Sequence, residues 1–405
     1  MADALTTARG TWARWPAAVR VGVLYVAARL VTAGFFAAAA AASGPASRFG
    51  ADAGVGDLLL GWDAQWYWFI AVNGYPTTLP LTDTGLVAEN AWAFMPLYPY
   101  LAAALGTVLG GWPVAAVVIS LVSGYAAAFV LYRLLRLRLD RSASTWAVVF
   151  FVAGPLAGLF HVAYAETLFL VWLFLALSAL VRRRFAWLYL LIPLMGFTRP
   201  GVLAFSLLLA LYGIWRWVQR RRDPLPAVQV VHIVATGLLA AIVGFSWQVI
   251  AAVVTADPGA YLATELAWRR NWIQEAEPHF FPFDGFLAAT AFWSSMWGWP
   301  VWLGYVLLAA LVAAAAWALL FSRSVRRLGM EMRLWSASYL LYLLAVFFPQ
   351  SSLFRLLVPL SVLWGALAVP RHPAWRIGVL LLGLAGQWWW IYNMYGLANT
   401  IWQIP

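Results

Sequence analysis

The chain has 405 residues, of which 64% are hydrophobic and 10% are charged, and its formal net charge is +11. Soluble proteins carry about 25% charged residues, so this composition excludes a soluble enzyme and a disordered protein. The mean hydropathy of +0.81 indicates an integral membrane protein.

Apolar runs, separated by clusters of arginine, follow one another along the whole chain 1–405. Because a spanning helix needs about 20 apolar residues, the runs predict one all-α, polytopic membrane domain with about eleven transmembrane helices. The predicted spans are 17–42, 113–135, 143–160, 165–181, 186–198, 201–218, 228–254, 300–321, 334–349, 354–370 and 375–393.

The first run, 17–42, has two interpretations. Basic residues precede it and small residues follow it near Ser43, as in a secretory signal peptide. Arg29 interrupts the apolar stretch, which is longer than the usual apolar core of a signal. We therefore favour an uncleaved membrane anchor and keep a cleaved signal as the alternative.

The distribution of arginine predicts the orientation in the membrane. With the N-terminus in the cytoplasm, the inner segments hold 20 of the 26 basic residues, all arginine, and the outer segments hold five. Of the 15 acidic residues, 11 lie outside. Since cytoplasmic loops of membrane proteins are rich in basic residues, we attribute the net charge to membrane orientation and predict no nucleic-acid partner. This orientation requires that segment 92–110 does not cross the bilayer.

Two large outer segments, 43–112 and 255–299, hold the polar residues that could form a site outside the bilayer. Both are rich in Trp, Tyr and Phe, whose rings prefer the headgroup level. We expect interfacial helices in these two extracytoplasmic loops.

Asp63 lies in the sequence Gly-Trp-Asp-Ala-Gln-Trp-Tyr, residues 61–67, at the start of a predicted interfacial helix. Asp63 and Tyr67 are four apart and share one helical face. Two interpretations stay open: Asp63 caps its own helix, as aspartate often does, or it is a reactive carboxylate at the outer membrane surface.

Three further polar breaks separate apolar helices on the outer side. Glu166 is one candidate, because an ionisable residue at membrane depth is costly and is often functional; the alternatives are a helix cap or a partner for an arginine. Arg199 and Arg355 lie at helix junctions, and their planar guanidinium groups suit phosphate. The alternative for both is snorkelling, or pairing with Glu166 or Asp63.

The second outer loop predicts another surface helix. One face of this helix carries Tyr261, Glu265, Trp268 and Arg269. His279, between prolines and phenylalanines further along, is more typical of a loop histidine than of a catalyst.

Several kinds of chemistry are not supported. The chain has no cysteine, which excludes thiolate metal sites and cysteine nucleophiles, and it has no P-loop, nucleophile-elbow or zinc-protease motif. An outer face has no nucleotide supply, so a transferase there would need a donor carried on a lipid.

Five segments carry a resemblance to a known family: 62–67, 93–99, 164–169, 198–200 and 354–355. The residue types in these segments, and the order of the segments along the chain, resemble motifs of the PIG-V-type mannosyltransferases of the GT-C superfamily. The resemblance extends over about residues 20 to 370. Met95 replaces the usual aromatic residue, and Ala165 and Thr167 replace serines. The chain resembles a bacterial, actinobacterial member of that family.

The resemblance implies a GT-C-like fold and a polyprenyl-phosphate sugar donor, commonly mannose, used on the extracytoplasmic face. The acceptor would be a lipid, a glycan or a protein, and transfer would be inverting. Asp63 would be the base, Glu166 a second catalytic residue, and Arg199 and Arg355 the phosphate ligands. A divalent cation on the two carboxylates is left open, and no other cofactor is predicted. The predicted substrate-binding residues are Trp62, Trp66, Tyr67, Tyr164, Trp268 and Arg269.

Three other functions are considered: a lipid or solute transporter, a GT-C enzyme that uses another lipid-linked sugar, and a non-catalytic scaffold of the cell envelope. Transporters place polar sites near the bilayer midplane. Here the ionisable residues cluster at the outer helix ends, with Arg29 as the main exception, which favours the transferase.

Overall fold

The structure is a computed structural model that describes residues 14–273, 280–400 and 402–405. Over these residues the chain is helical, with one isolated antiparallel bridge between Leu81 and Val87 and no strand. The all-α prediction is therefore confirmed. His279 lies outside the described residues.

From residue 14 onwards the N-terminal half has nine described α-helices, and short 3-10 turns lie at three of the connections. They are α1 (Ala17–Ala41), α2 (Val55–Leu59), α3 (Asp63–Asn73), α4 (Leu97–Leu109), α5 (Trp112–Leu135), α6 (Arg141–Val152), α7 (Glu166–Val181), α8 (Leu188–Thr198) and α9 (Val202–Gln219).

The C-terminal half adds nine more described α-helices and ends in a short π-helical turn, Tyr392–Leu397. The helices are α10 (Ala227–Thr255), α11 (Ala260–Arg270), α12 (Asp284–Met296), α13 (Val301–Phe321), α14 (Arg323–Arg326), α15 (Met330–Val346), α16 (Leu353–Leu356), α17 (Trp364–Ala368) and α18 (Pro373–Ile391).

Five described helices, α1, α5, α9, α10 and α13, are long and apolar enough to cross a membrane. This supports a membrane-embedded, α-helical protein. Helix α4 has 13 residues, and at 1.5 Å per residue it reaches about 20 Å, less than the roughly 30 Å hydrocarbon core. The number of eleven spans and the GT-C architecture stay predictions.

Two of the predicted spans are not continuous helices. In span 143–160, α6 ends at Val152, shortly before Gly154 and Pro155. In span 354–370, the chain forms a 3-10 turn with Pro359 at its second position. Proline lacks the N–H that continues a helix, and so both runs are broken although their composition is apolar.

The core is built where long helices pack lengthwise. Helix α5 packs against α4 and α7, and α9 packs against α10 and α15. Leu131, Phe174, Leu208 and Trp335 are buried along these contacts. The packing gathers the ends of α3, α7 and α8 at one end of the bundle.

Arg29, in the middle of α1, is buried inside the bundle. Its Nη1 donates to the carbonyl oxygen of Ala157 at 2.6 Å and lies 3.0 Å from Nδ1 of His161. Its Nη2 donates to the carbonyl oxygen of Val152. The ring of Phe160 lies 4.8 Å below the guanidinium. Backbone oxygens at and just beyond the end of α6 thus accept from both terminal nitrogens of Arg29 and hold α1 against that segment.

Each described ion pair joins two residues that the sequence places on the same side of the membrane. At one end of the bundle the pairs are Arg138–Glu331, Arg183–Asp223, Arg216–Asp223 and Arg371–Asp140. At the other end they are Arg199–Glu166, Arg269–Asp284, Arg355–Asp63 and Arg355–Glu166. The grouping of charged segments into two sets therefore agrees with the structure, and their sidedness stays a prediction.

Candidate functional site

A sharp corner positions Asp63. A Cβ on Gly61 would lie 2.4 Å from the ring of Phe49, so only glycine fits there. Trp62 has a φ of 56°, which is rare for a bulky residue and costs energy of order 1–3 kcal/mol. Trp62 is the N-cap and Asp63 is the first residue of α3, so the capping interpretation of Asp63 is wrong.

Asp63 instead pairs with Arg355. The distance from Asp63 Oδ2 to Arg355 Nη1 is 2.6 Å, and the side chains are 23% and 12% exposed. Nε of Arg355 lies 3.4 Å from Oε1 of Glu166. The same oxygen accepts from Nη1 of Arg199 at 2.8 Å. We call Asp63, Glu166, Arg199 and Arg355 the charge network.

Helix ends place the four groups of the charge network. Asp63 and Glu166 are the first residues of α3 and α7, where the positive end of the helix dipole favours a carboxylate. Arg199 follows the last residue of α8, where carbonyl groups favour a cation. Gly201 allows the tight turn beyond it, since its φ is +126° and a Cβ would lie 3.3 Å from the ring of Tyr339.

Burial and the neighbouring guanidinium group act in opposite directions on the pKa of Asp63. Burial raises the pKa of Asp63 above its ordinary value, although Arg355 acts in the opposite direction. Oε2 of Glu166 is buried and has no hydrogen-bond partner among the described residues. It is therefore an acceptor available to a ligand.

Aromatic rings from the two outer loops meet near Asp63. The ring of Trp66 stacks on that of Phe94 at 5.8 Å, and the ring of Trp268 meets both edge-on, at 5.9 and 6.0 Å. Tyr67 packs edge-on against Phe94 and Tyr98, at 5.4 and 5.0 Å. The predicted residues Trp66, Tyr67 and Trp268 are thus brought together.

The other three predicted substrate-binding residues have separate surroundings. Tyr164 is buried, and its ring lies 5.3 Å from the guanidinium of Arg355. Nε1 of Trp62 donates to the carbonyl oxygen of Met394 at 2.9 Å. Arg269 pairs with Asp284 at 2.6 Å. Tyr164 therefore supports the network, while Trp62 and Arg269 are held by contacts of their own.

Polar contacts join the two outer loops beside the site. Nδ2 of Asn90 donates to the hydroxyl of Thr264 at 2.9 Å, and both residues are buried. Nε1 of Trp247 donates to the carbonyl oxygen of Trp92 at 2.9 Å, and Arg270 donates to the carbonyl oxygen of Val87. The described parts of segments 43–112 and 255–299 are thus in contact, together with Trp247 of α10, and we call them the covering layer.

Sequence reasoning missed Phe94 as a site residue, and it did not predict the raised pKa of Glu265 on α11. Phe94 lies inside the segment that carries the family resemblance, which is the signal that could have found it. Glu265 has an exposed side chain on α11, yet desolvation raises its pKa to about 7, against a hydrogen bond from Tyr261 that lowers it. The shared helical face of α11 was visible in the sequence, but its surroundings were not.

The charge network is a poor fit to a divalent cation. No group of three or more histidines and acidic residues in the described part of the chain could hold a metal ion. Asp63 and Glu166 both face Arg355, and a cation between them would be repelled by that guanidinium. The possible cation on these two carboxylates is therefore not used below.

No protein-family model matches the chain, and no curated protein matches it. The family resemblance therefore depends on the short motifs of this sequence, and the functional argument depends on the geometry above.

Proposed function

We propose that this protein is a membrane glycosyltransferase of the kind found in the GT-C superfamily. It transfers a sugar, which the family resemblance implies is mannose, from a polyprenyl-phosphate donor to a hydroxyl group of a lipid, glycan or protein on the extracytoplasmic face. One observation carries the proposal: Asp63 contacts Arg355, and Arg355 and Arg199 share the carboxylate of Glu166.

The charge balance of the network suits a phosphate. Two carboxylates and two guanidinium groups sum to zero, and each guanidinium has five N–H donors, more than its carboxylate contacts use. The phosphate of a lipid donor would add negative charge beside Arg199 and Arg355. Because that charge competes for Arg355, it weakens the hold of Arg355 on Asp63 and makes the carboxylate a stronger base.

The reaction that follows is a direct displacement. Asp63 takes the proton of the acceptor hydroxyl while the acceptor oxygen forms a bond to the anomeric carbon. The bond from that carbon to the phosphate oxygen breaks, and its electron pair stays on the lipid phosphate. Arg199 and Arg355 offset the charge that develops there. Attack from the face opposite the phosphate inverts the anomeric configuration.

The surrounding groups suit a sugar next to this phosphate. The rings of Trp66 and Trp268 meet edge-on, and Tyr67, one helical turn after Asp63, packs against Phe94 beside them, so the cluster offers apolar ring surface to a sugar. The unpartnered Oε2 of Glu166 accepts a hydroxyl of the sugar or of the acceptor. Tyr164 keeps Arg355 in place through its ring.

Asp63→Asn tests the proposal. The purified full chain in detergent, with membrane lipids as acceptors, is given radiolabelled polyprenyl-phosphate mannose, and label transfer is measured. We expect transfer by the wild type and a loss of about 100-fold or more in Asp63→Asn, since a general base contributes about 10²–10⁴-fold.

Asp52→Asn is the matched control, because Asp52 is exposed in the same loop. It should keep wild-type transfer. Wild-type turnover by Asp63→Asn would show that Asp63 is not the general base. Uptake of label into liposomes without any transfer would favour a transporter instead, and transfer only from another lipid-linked sugar would change the donor.

A further inference from the structure

A cleft of about 440 Å³ opens at the end of the bundle opposite the charge network. It lies between the start of α1 and the last turns of α5 and α7. Ala17, Ala18 and Phe129 form an apolar wall. The guanidinium-bearing residues that line it are Arg133, Arg136 and Arg182.

No acidic side chain among the described residues neutralises the charge of these three arginines. The neighbouring Arg138, Arg183 and Arg371 each pair with an acidic residue. Among the residues that the structure describes, Arg133, Arg136 and Arg182 have no such partner. All three are exposed, so the cleft has a strongly positive rim.

Two of the three arginines make contacts that hold their side chains, and one of these contacts is with the wall of the cleft. Nη1 of Arg136 donates to the carbonyl oxygen of Leu139 at 2.6 Å. The guanidinium of Arg133 lies 5.9 Å from the ring centre of Phe129, on the apolar wall. These contacts use few of the available N–H donors, which leaves the others for an anion.

The depth of the cleft relative to the bilayer follows from α7. This helix has 16 residues, from Glu166 in the charge network to Val181 beside Arg182. At 1.5 Å per residue it separates the two places by about 24 Å, which is most of the roughly 30 Å hydrocarbon core. The cleft therefore lies near the headgroups of the leaflet opposite the charge network.

We propose that this cleft binds an anionic phospholipid of that leaflet. The phosphate of the headgroup contacts the guanidinium groups of Arg133, Arg136 and Arg182, and the first part of an acyl chain lies on the wall of Ala17, Ala18 and Phe129. The positive rim selects a negative ligand, and the apolar wall selects one with a hydrocarbon chain. This inference does not depend on the proposed transferase activity.

The test is lipid retention by the purified full chain. The protein is equilibrated in micelles that contain equal amounts of phosphatidylglycerol and phosphatidylcholine, and retained lipids are counted by native mass spectrometry. We expect the wild type to prefer phosphatidylglycerol. The variant R133Q/R136Q/R182Q should lose that preference by about tenfold or more, because each basic group at a charged surface contributes on the order of fivefold.

The control is R323Q/R326Q/R327Q, which removes the same charge at the α14 end of the same face. It should keep the preference for phosphatidylglycerol. An equal loss in both variants would show general attraction to the surface and overturn the proposal, as would full retention in the first variant.

A second variant keeps the charge and fills the cleft. Ala18→Phe should also lower the retention of phosphatidylglycerol, and this measurement decides the matter if the triple variant does not fold. Unchanged retention in Ala18→Phe would argue against an acyl chain on the wall. Complete displacement of phosphatidylglycerol by inorganic phosphate would show a simple phosphate site and overturn the lipid assignment.

Discussion

Arg355 Nη1 lies 2.6 Å from Oδ2 of Asp63, although 292 residues separate the two in the chain. The candidate base and a candidate phosphate ligand are therefore in direct contact before any substrate binds. A change at either residue affects the other, and their contributions to stability and activity must be measured together.

The first prediction concerns this pair. Asp63→Asn and Arg355→Gln should each lower the free energy of unfolding, and the double variant should lose less than the sum of the two. The coupling should be about 1–3 kcal/mol, as for residues in one ion-pair network. Thermal or denaturant unfolding in detergent measures it. Additive effects would show that the contact contributes little to the fold.

The second prediction concerns Arg199 and Glu166, which are 9% and 4% exposed. Arg199→Gln should destabilise the protein by about 3–5 kcal/mol, because it leaves a buried carboxylate without its main partner. Adding Glu166→Gln should recover part of that loss. If the double variant is less stable than Arg199→Gln alone, the unpaired carboxylate of Glu166 is not the cause of the destabilisation.

The third prediction is a pH dependence of sugar transfer. Burial raises the pKa of Asp63, and a base works only when it is deprotonated. Activity should therefore fall as the pH is lowered through this raised pKa, at a higher pH than for an ordinary aspartate. The measurement is the pH profile of kcat/KM with the radiolabelled donor. An acidic limb at the ordinary pKa of aspartate would contradict the burial argument.

The fourth prediction concerns the carboxyl group of Glu265, which should titrate separately from that of Asp63. Desolvation raises its pKa to about 7, so its carboxyl group should lose a proton as the pH rises through that value. Infrared difference spectra of the wild type should show the loss of a protonated carboxyl band. Glu265→Gln should remove this band, and Asp257→Asn, an acid just before the same helix, should keep it. An unchanged band in Glu265→Gln would assign it to another group.

The fifth prediction concerns the covering layer. Asn90→Ala removes the buried bond to Thr264 and the bond that the Asn90 side chain accepts from the backbone of Trp92. Each buried polar group left unpaired costs about 1–3 kcal/mol. The midpoint of thermal unfolding should fall, while Asn73→Ala, on the exposed side of α3, should change it little. Equal midpoints for the two variants would mean that the loops are not held together here.

Local chemistry allowed part of this structure to be predicted. The apolar runs predicted an all-α membrane protein, and the distribution of arginine predicted which charged segments meet. Pairing of Arg199 with Glu166 and of Arg355 with Asp63 was one of the alternatives, and the structure contains both pairs.

The features that the sequence did not predict depend on contacts between distant parts of the chain. Composition did not reveal that Pro359 interrupts an apolar run, because the run is otherwise uniform. Spacing along α11 did not reveal that Arg269 has Asp284 as its partner, because the pairing depends on how α11 and α12 pack. The desolvation of Glu265 is likewise a property of the folded surroundings.

Arg29 has a consequence for the biogenesis of the protein. The carbonyl oxygens that accept from it belong to Val152 and Ala157, more than 120 residues further along the chain. When the ribosome has made only the first helix, these acceptors do not yet exist, and a central arginine opposes insertion by about 3 kcal/mol. We therefore expect the nascent helix to reach its final depth more readily once the later segment emerges. Replacing Arg29 with leucine should let a truncated chain insert sooner, which glycosylation mapping of translocated intermediates can measure.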